Sequence, residues 1–148
     1  MIYVAVDPGL VSGIAYFNTH TEHFSTAESG AMDWVCDEVR MWAGRQPALA
    51  KDTTLIVERF LISERTIKTK VYYDSIHFEG WIRLEYPDTY AQTAAQAKGF
   101  ATDSKLKHLG WYTKTKDGHA NDAARHLLYR AVKDRVPYVI DRLKEYDQ

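Results

Sequence analysis

Apolar positions change their period several times along the chain, and each change marks an element. Residues 1–6 (Met-Ile-Tyr-Val-Ala-Val) form a short continuous apolar run ending at Asp7-Pro8-Gly9, which predicts a strand buried on both faces and then a tight turn. Gly13 opens a second β-rich stretch through Phe17 to about Asn18, and a third strand is expected around His23–Thr26. From about Ser29 the spacing turns helical, with Met32, Val35, Cys36, Val39, Trp42 and Ala43 on one stripe, Ser29 as N-cap and Gly44 as stop. Leu55, Ile56 and Val57 give another short strand, which also ends in a carboxylate, Glu58. A mixed basic segment, Arg59 to Lys70, leads to a helix expected over 71–86 and closed by Pro87. A last short strand over 90–93, a short helix ending at Gly99, and another from a Thr102 cap to Gly110 come next. A loop is expected over 111–118. A final helix should start near His119 and run to about Arg135, before Pro137. The alternation of strands and helices predicts an α/β layered domain built on a mixed sheet.

Composition narrows the class. The chain has 148 residues, 45% of them hydrophobic and 26% charged, which suits one compact domain over 1–148 and excludes a low-complexity or collagen-like chain. The single cysteine, Cys36, excludes an intramolecular disulfide and a cysteine-based zinc cluster, and it fits a reducing, cytoplasmic setting. No apolar run approaches the roughly 18 residues of a spanning helix, and the N-terminus has no signal-peptide pattern, so no membrane partner is expected. Net charge is −1, but its distribution is uneven. Residues 20–38 carry five acids and no Lys or Arg, whereas 59–72 and 98–116 are basic, with Arg59, Arg65, Lys68, Lys70, Lys98, Lys105, Lys107, Lys114 and Lys116. Basic stretches set apart in this way are either ordinary solvated surface or one positive face able to neutralise phosphates. The four Trp and ten Tyr are expected to be packing residues, and Cys36 a core residue.

The candidate chemistry lies at three points. Asp7 and Glu58 each end an apolar strand, and strand ends of a central sheet are where open α/β folds place their sites. A carboxylate there can also simply mark where the chain leaves the core. On the last helix, Ala120, Ala123, Ala124, Leu127, Leu128 and Ala131 fill one apolar face, while His119, Asp122 and His126 run along its edge. His119 and Asp122 are spaced i, i+3 and project as neighbours; the plainer reading is a surface pair at a helix start, with the acid favoured by the helix dipole. Together, Asp7, Glu58, Asp122 and His119 are the donor types that suit Mg²⁺ or Mn²⁺, because three converging carboxylates repel one another without a cation.

These residues resemble a known family. Residues 4–9 (Val-Ala-Val-Asp-Pro-Gly) with Gly13-Ile-Ala, the Leu-Ile-Val-Glu of 55–58, and the His-Ala-Asn-Asp-Ala-Ala-Arg-His of 119–126 are similar, in order and spacing, to the RuvC-type Holliday junction resolvases of the ribonuclease H-like superfamily, most closely the bacteriophage versions. The resemblance implies a ribonuclease H-like fold, with a mixed five-stranded sheet and helices on both faces. It implies a Mg²⁺/Mn²⁺-dependent endonuclease with two ions per active site, ligated by Asp7, Glu58, His119 and Asp122. Asp7 would be the central ligand, and relatives carry either Asp or His where His119 stands. The implied substrate is branched DNA in recombination or replication: four-way junctions first, flaps or forks as the alternative. The implied assembly is a homodimer in the cytoplasm of a bacterial cell or phage-infected host. Phe60, just after the strand glutamate, becomes a candidate for base stacking or equally a residue closing the sheet end, and Arg59, Arg65, Lys68, Lys70, Lys105, Lys107, Lys114 and Lys116 become candidate phosphate contacts. The stretch between Glu58 and His119 shares little with cellular resolvases, which leaves substrate shape open. Two other classes compete. The Asp-Pro-Gly turn followed by Gly13 also looks like the phosphate loop of actin-like sugar kinases and ATPases, although those pair two such domains on a much longer chain. A non-catalytic DNA-binding module could also occupy the same fold.

Overall fold

A computed structural model describes residues 1–43, 52–61 and 73–146. Five strands form one sheet: β1 (Ile2–Asp7), β2 (Ser12–Asn18), β3 (His23–Ser29), β4 (Thr53–Glu58) and β5 (Tyr90–Gln92). Their order is β3-β2-β1-β4-β5, with β1 to β3 an antiparallel meander and β4 and β5 parallel to β1. Six helices are described: α1 (Met32–Ala43), α2 (Tyr73–Glu85), α3 (Ala94–Phe100), α4 (Asp103–Leu109), α5 (His119–Lys133) and α6 (Pro137–Tyr146). The expected α/β architecture, with a mixed five-stranded sheet and helices on both faces, is present. Among the described residues no helix is long and apolar enough to cross a membrane.

The period-two alternation of the central strands splits the core in two. Val4, Val6, Ile14, Leu55 and Val57 face α1 and α2, where Val35, Val39, Phe78 and Ile82 complete one cluster. Tyr3, Ala5, Ala15, Phe17 and Ile56 face the other way, against Ala123, Ala124, Leu127 and Leu128 of α5 and the α4 and α6 side chains Leu106, Val139 and Leu143. Asp7 and Glu58 continue the second alternation, so both strand-end acids project toward α5. Trp111 packs as expected, between Phe17 and Phe24 with ring centroids 4.8 and 4.7 Å away, whereas Tyr90, Tyr112 and Tyr146 are exposed. Cys36 is part-buried against the first cluster, and burial pushes its thiol pKa up.

Several element ends differ from the sequence expectation. The α5 helix stops at Lys133, and Pro137 opens a further helix instead of ending the chain's last one. Proline is well placed there because the first turn of a helix needs no N–H donor from it. Thr93 is not part of β5; it is the N-cap of α3 in a capping box with Gln96, the Gln96 N–H donating to Thr93 Oγ1 at 3.3 Å and the Thr93 N–H to Gln96 Oε1 at 2.9 Å. The same helix runs past Gly99 to Phe100. Thr102 and Gly110 do cap α4 as expected, with Gly110 at φ 73°. Gly44, the expected stop of α1, and residues 71–72 lie outside the described residues.

Candidate metal and nucleic-acid site

Sheet register brings three polar side chains into one row. Val6 pairs with Val57 in the parallel β1–β4 ladder, so Asp7 and Glu58 are the next positions on neighbouring strands. Glu58 in turn pairs with Gln92 on β5. Above this row lies α5, drawn close by its alanines. The approach is tightest at Gly13, which pairs with Asp7: a Cβ there would sit 2.0 Å from the His119 carbonyl oxygen and 2.6 Å from the Ala120 nitrogen. Only glycine leaves room for the helix start at this distance.

The start of α5 has an unusual cap. Gly118, at φ 80°, occupies the N-cap and supplies no side chain. Glu28 on β3 takes that place from across the sheet, its Oε2 accepting the Ala120 N–H at 3.1 Å. A carboxylate at this end is also favoured by the helix dipole. Asn121 anchors the preceding loop, donating to the Thr113 carbonyl at 2.7 Å and accepting the Thr113 N–H at 2.9 Å.

Each acid of the site then meets a nitrogen. Asp7 is 6% exposed, and its Oδ2 lies 2.8 Å from His119 Nδ1. Burial raises the Asp7 pKa above the usual carboxylate range; the His119 hydrogen bond opposes this, and repulsion from Glu58 and Asp122 adds to it. The same hydrogen bond to Asp7 is the main reason the His119 pKa is raised. Glu58 Oε2 lies 2.8 Å from Nε2 of His126. Asp122 Oδ2 accepts from Lys98 Nζ at 2.9 Å, and Asp122 Oδ1 pairs with Arg125, which also pairs with Asp103. Burial works against the Lys98 ammonium, but its bond to Asp122 and the charges of Asp122, Glu58 and Asp7 outweigh that and raise its pKa. A polar cleft of about 400 Å³ opens beside these groups, lined by Lys98, Thr102, Asp103, Asp122 and Arg125.

The chain matches no protein-family model and no curated protein.

The four residues singled out from sequence therefore meet at one end of the sheet. Asp7 and His119 touch, and Glu58 and Asp122 are near enough to raise the Asp7 pKa. The donors are of the kind that hold Mg²⁺ or Mn²⁺, and convergence of two further acids, Glu58 and Asp122, on the buried Asp7 carboxylate is the condition a cation relieves. Among the described residues no three His, Cys, Asp or Glu side chains stand as a finished metal cage; Glu58 and Asp122 are turned to His126, Lys98 and Arg125.

The candidate nucleic-acid contacts are more scattered. Arg59 is exposed just beyond Glu58, its backbone N–H bound to the Gln92 carbonyl at 2.7 Å. Phe60 is half-buried and belongs to neither core cluster. Lys105 lies over the Phe100 ring at 4.0 Å and Lys107 over Tyr112 at 4.7 Å, while Lys114 and Lys116 are exposed on the loop leading into α5. Arg65, Lys68 and Lys70 lie outside the described residues. Sequence reasoning did not give Gln92, Glu28 or the Glu58 partner His126 a part in the site. Gln92 and Glu28 reach it only through strand pairing, a signal that single-chain spacing does not contain.

Proposed function

We propose that the chain is a metal-dependent, structure-specific endodeoxyribonuclease of the ribonuclease H-like type that cuts phosphodiester bonds in branched DNA, four-way junctions first. The observation that carries this reading is the convergence of Asp7, Glu58, Asp122 and His119 from β1, β4 and α5, the elements on which the resembled resolvases keep their ligands. These four side chains would hold Mg²⁺ or Mn²⁺, whose chemistry when bound is to activate water and stabilise the leaving oxygen of a phosphodiester. Asp7 is the fixed point, buried on a central strand and unable to swing away. His119, tied to Asp7 through Nδ1, keeps Nε2 for a ligand or a proton. Lys98 carries positive charge to the edge of the acid cluster, where a backbone phosphate could share it with Asp122. Paired, symmetric cuts across a junction need two such sites related by a two-fold axis, so the active form would be a homodimer.

The test is cleavage of a labelled synthetic four-way junction, with a flap and a linear duplex alongside, in Mg²⁺, Mn²⁺ or EDTA. Paired nicks near the crossover that vanish in EDTA, and in Asp7→Asn with junction binding retained, are expected. Metal-dependent cutting mainly of flaps would keep the site and replace the substrate. Tight binding without nicking under any divalent cation would leave a DNA-binding module and overturn the catalytic reading.

A further inference from the structure

Two polar side chains are buried on α5: Asn121, which holds the preceding loop, and His126. His126 sits among Ala123, Ala124, Leu127 and Leu128 and is 0% exposed. A buried imidazole is costly unless both ring nitrogens find partners. Here both do: Nε2 lies 2.8 Å from Glu58 Oε2, and Nδ1 lies 3.1 Å from Gln92 Oε1. Those two partners are themselves paired across the β4–β5 ladder, and Gln92 is buried. The ring is thus held at two points and cannot turn. With its amide turned by half a rotation, so that the NH2 group and not Oε1 faces Nδ1, Gln92 donates to His126 while Nε2–H is given to the carboxylate.

Glu58 needs such a hold more than Asp7 does. Its longer side chain has more rotamers to lose, and it sits at a strand end where its side chain keeps 23% of its exposure. Asp7, one methylene shorter and almost wholly buried, is fixed by its strand and by His119. From this geometry we infer that His126, braced by Gln92, is the positioning residue that fixes the Glu58 carboxylate beside Asp7 for cation binding. This rests on the nuclease reading for its purpose, but the hydrogen bond itself can be read without metal.

The experiment compares wild type, His126→Leu, His126→Gln and Glu58→Gln by Mn²⁺ titration calorimetry, junction cleavage and thermal melting. His126→Leu should weaken Mn²⁺ binding by about 10- to 100-fold, the usual effect of losing a group that orients a ligand. His126→Gln, which keeps an N–H for Glu58, should recover part of that loss, and it guards against a Leu variant that does not fold. On the Glu58→Gln background His126→Leu should cost nothing further in Mn²⁺ affinity, because the carboxylate it positions is gone. A folded His126→Leu protein with wild-type Mn²⁺ affinity and cleavage would overturn the inference and leave the nuclease reading standing. Metal-free NMR separates the opposite case. The sheltered Nε2–H proton of His126 should resonate downfield in wild type and move in Glu58→Gln. Wild type that neither binds Mn²⁺ nor cuts would remove the nuclease reading, and an Nε2–H signal unmoved by Glu58→Gln would overturn the His126 assignment independently.

Discussion

Replacing Gly13 by alanine should disturb the site without touching any of its ionisable groups. The added methyl would lie 2.0 Å from the His119 carbonyl oxygen and 2.2 Å from its carbon, whereas real Cβ contacts essentially never fall under 3.0 Å. The obstructing atoms are helix backbone, so no flexible side chain can step aside, and the start of α5 must retreat by about 1 Å. Overpacking of this kind costs about 1–3 kcal/mol. The retreat also strains the 3.1 Å bond from the Ala120 N–H to Glu28, a capping interaction whose loss costs about 0.5–2 kcal/mol. A total of about 1.5–5 kcal/mol is therefore expected, equivalent to a melting temperature lower by about 5–15 °C in a domain of this size. Urea denaturation should show a lower midpoint with an unchanged m-value. Cleavage should fall by about 100-fold, because His119 and Asp122 ride on the displaced turn. Gly80→Ala is the control: among the described residues nothing lies within 4 Å of its added methyl, which sits inside α2 and should be neutral or slightly stabilising. A Gly13→Ala protein within 0.5 kcal/mol of wild type, with the His119 ring signals unmoved, would show that α5 is not seated as described.

Two further outcomes follow from the same turn. Glu28→Ala removes the acceptor of the Ala120 N–H and should cost about 0.5–2 kcal/mol, with faster hydrogen exchange at Ala120 and little change deeper in α5; unchanged exchange there would refute the cap across the sheet. The His119 pKa is raised above its unfolded value of 6.5, so its contribution to stability is fully present below pH 6.5 and is lost as pH rises through the folded value. The raised Asp7 pKa acts with the same sign, its contribution fading from just above the ordinary carboxylate range upward. Urea midpoints in EDTA should therefore fall as pH rises above 6.5, and His119→Gln should flatten that fall; an undiminished slope in the variant would place the titration elsewhere.

The central strands were legible in the sequence because burial on both faces leaves a continuous apolar run with nothing else to be. Val4 to Val6 and Leu55 to Val57 have that form, and each ends at the residue where polarity returns. Helix ends were legible where a cap is local. Thr102 and Gly110 act within their own turn, and both are where the sequence puts them. They were not legible where the deciding contact is distant or where one residue type has two uses. Pro137 reads equally as a terminator of one helix or as the first residue of the next. The choice is made by Val136, Val139 and Leu143 packing into the α5 core cluster, which no local pattern reports.

The same distinction divides the site itself. Asp7 and Glu58 could be paired from sequence because two strands of like pattern ending in acids predict neighbouring ends once the sheet is parallel. Asp122 and His119 could be paired because i, i+3 spacing is a helix property. What spacing could not show is how the negative charge is balanced. Lys98 reaches Asp122 from α3, Glu28 caps α5 from β3, and His126 meets Glu58 of β4 through one ring nitrogen and Gln92 of β5 through the other. Each of the three acids is thus matched to a nitrogen: an α5 imidazole for Asp7 and another for Glu58, and Lys98 of α3 with Arg125 for Asp122. Only Asp122 is matched to permanent cations, Lys98 and Arg125. The Asp7–Glu58 half of the site is therefore where negative charge is least compensated, and it is also the half fixed by the most rigid part of the fold, two parallel central strands. An external cation would gain most there. On the proposed nuclease reading, the first-filled position would lie between β1 and β4, and Asp122 would be the ligand whose internal partners must yield.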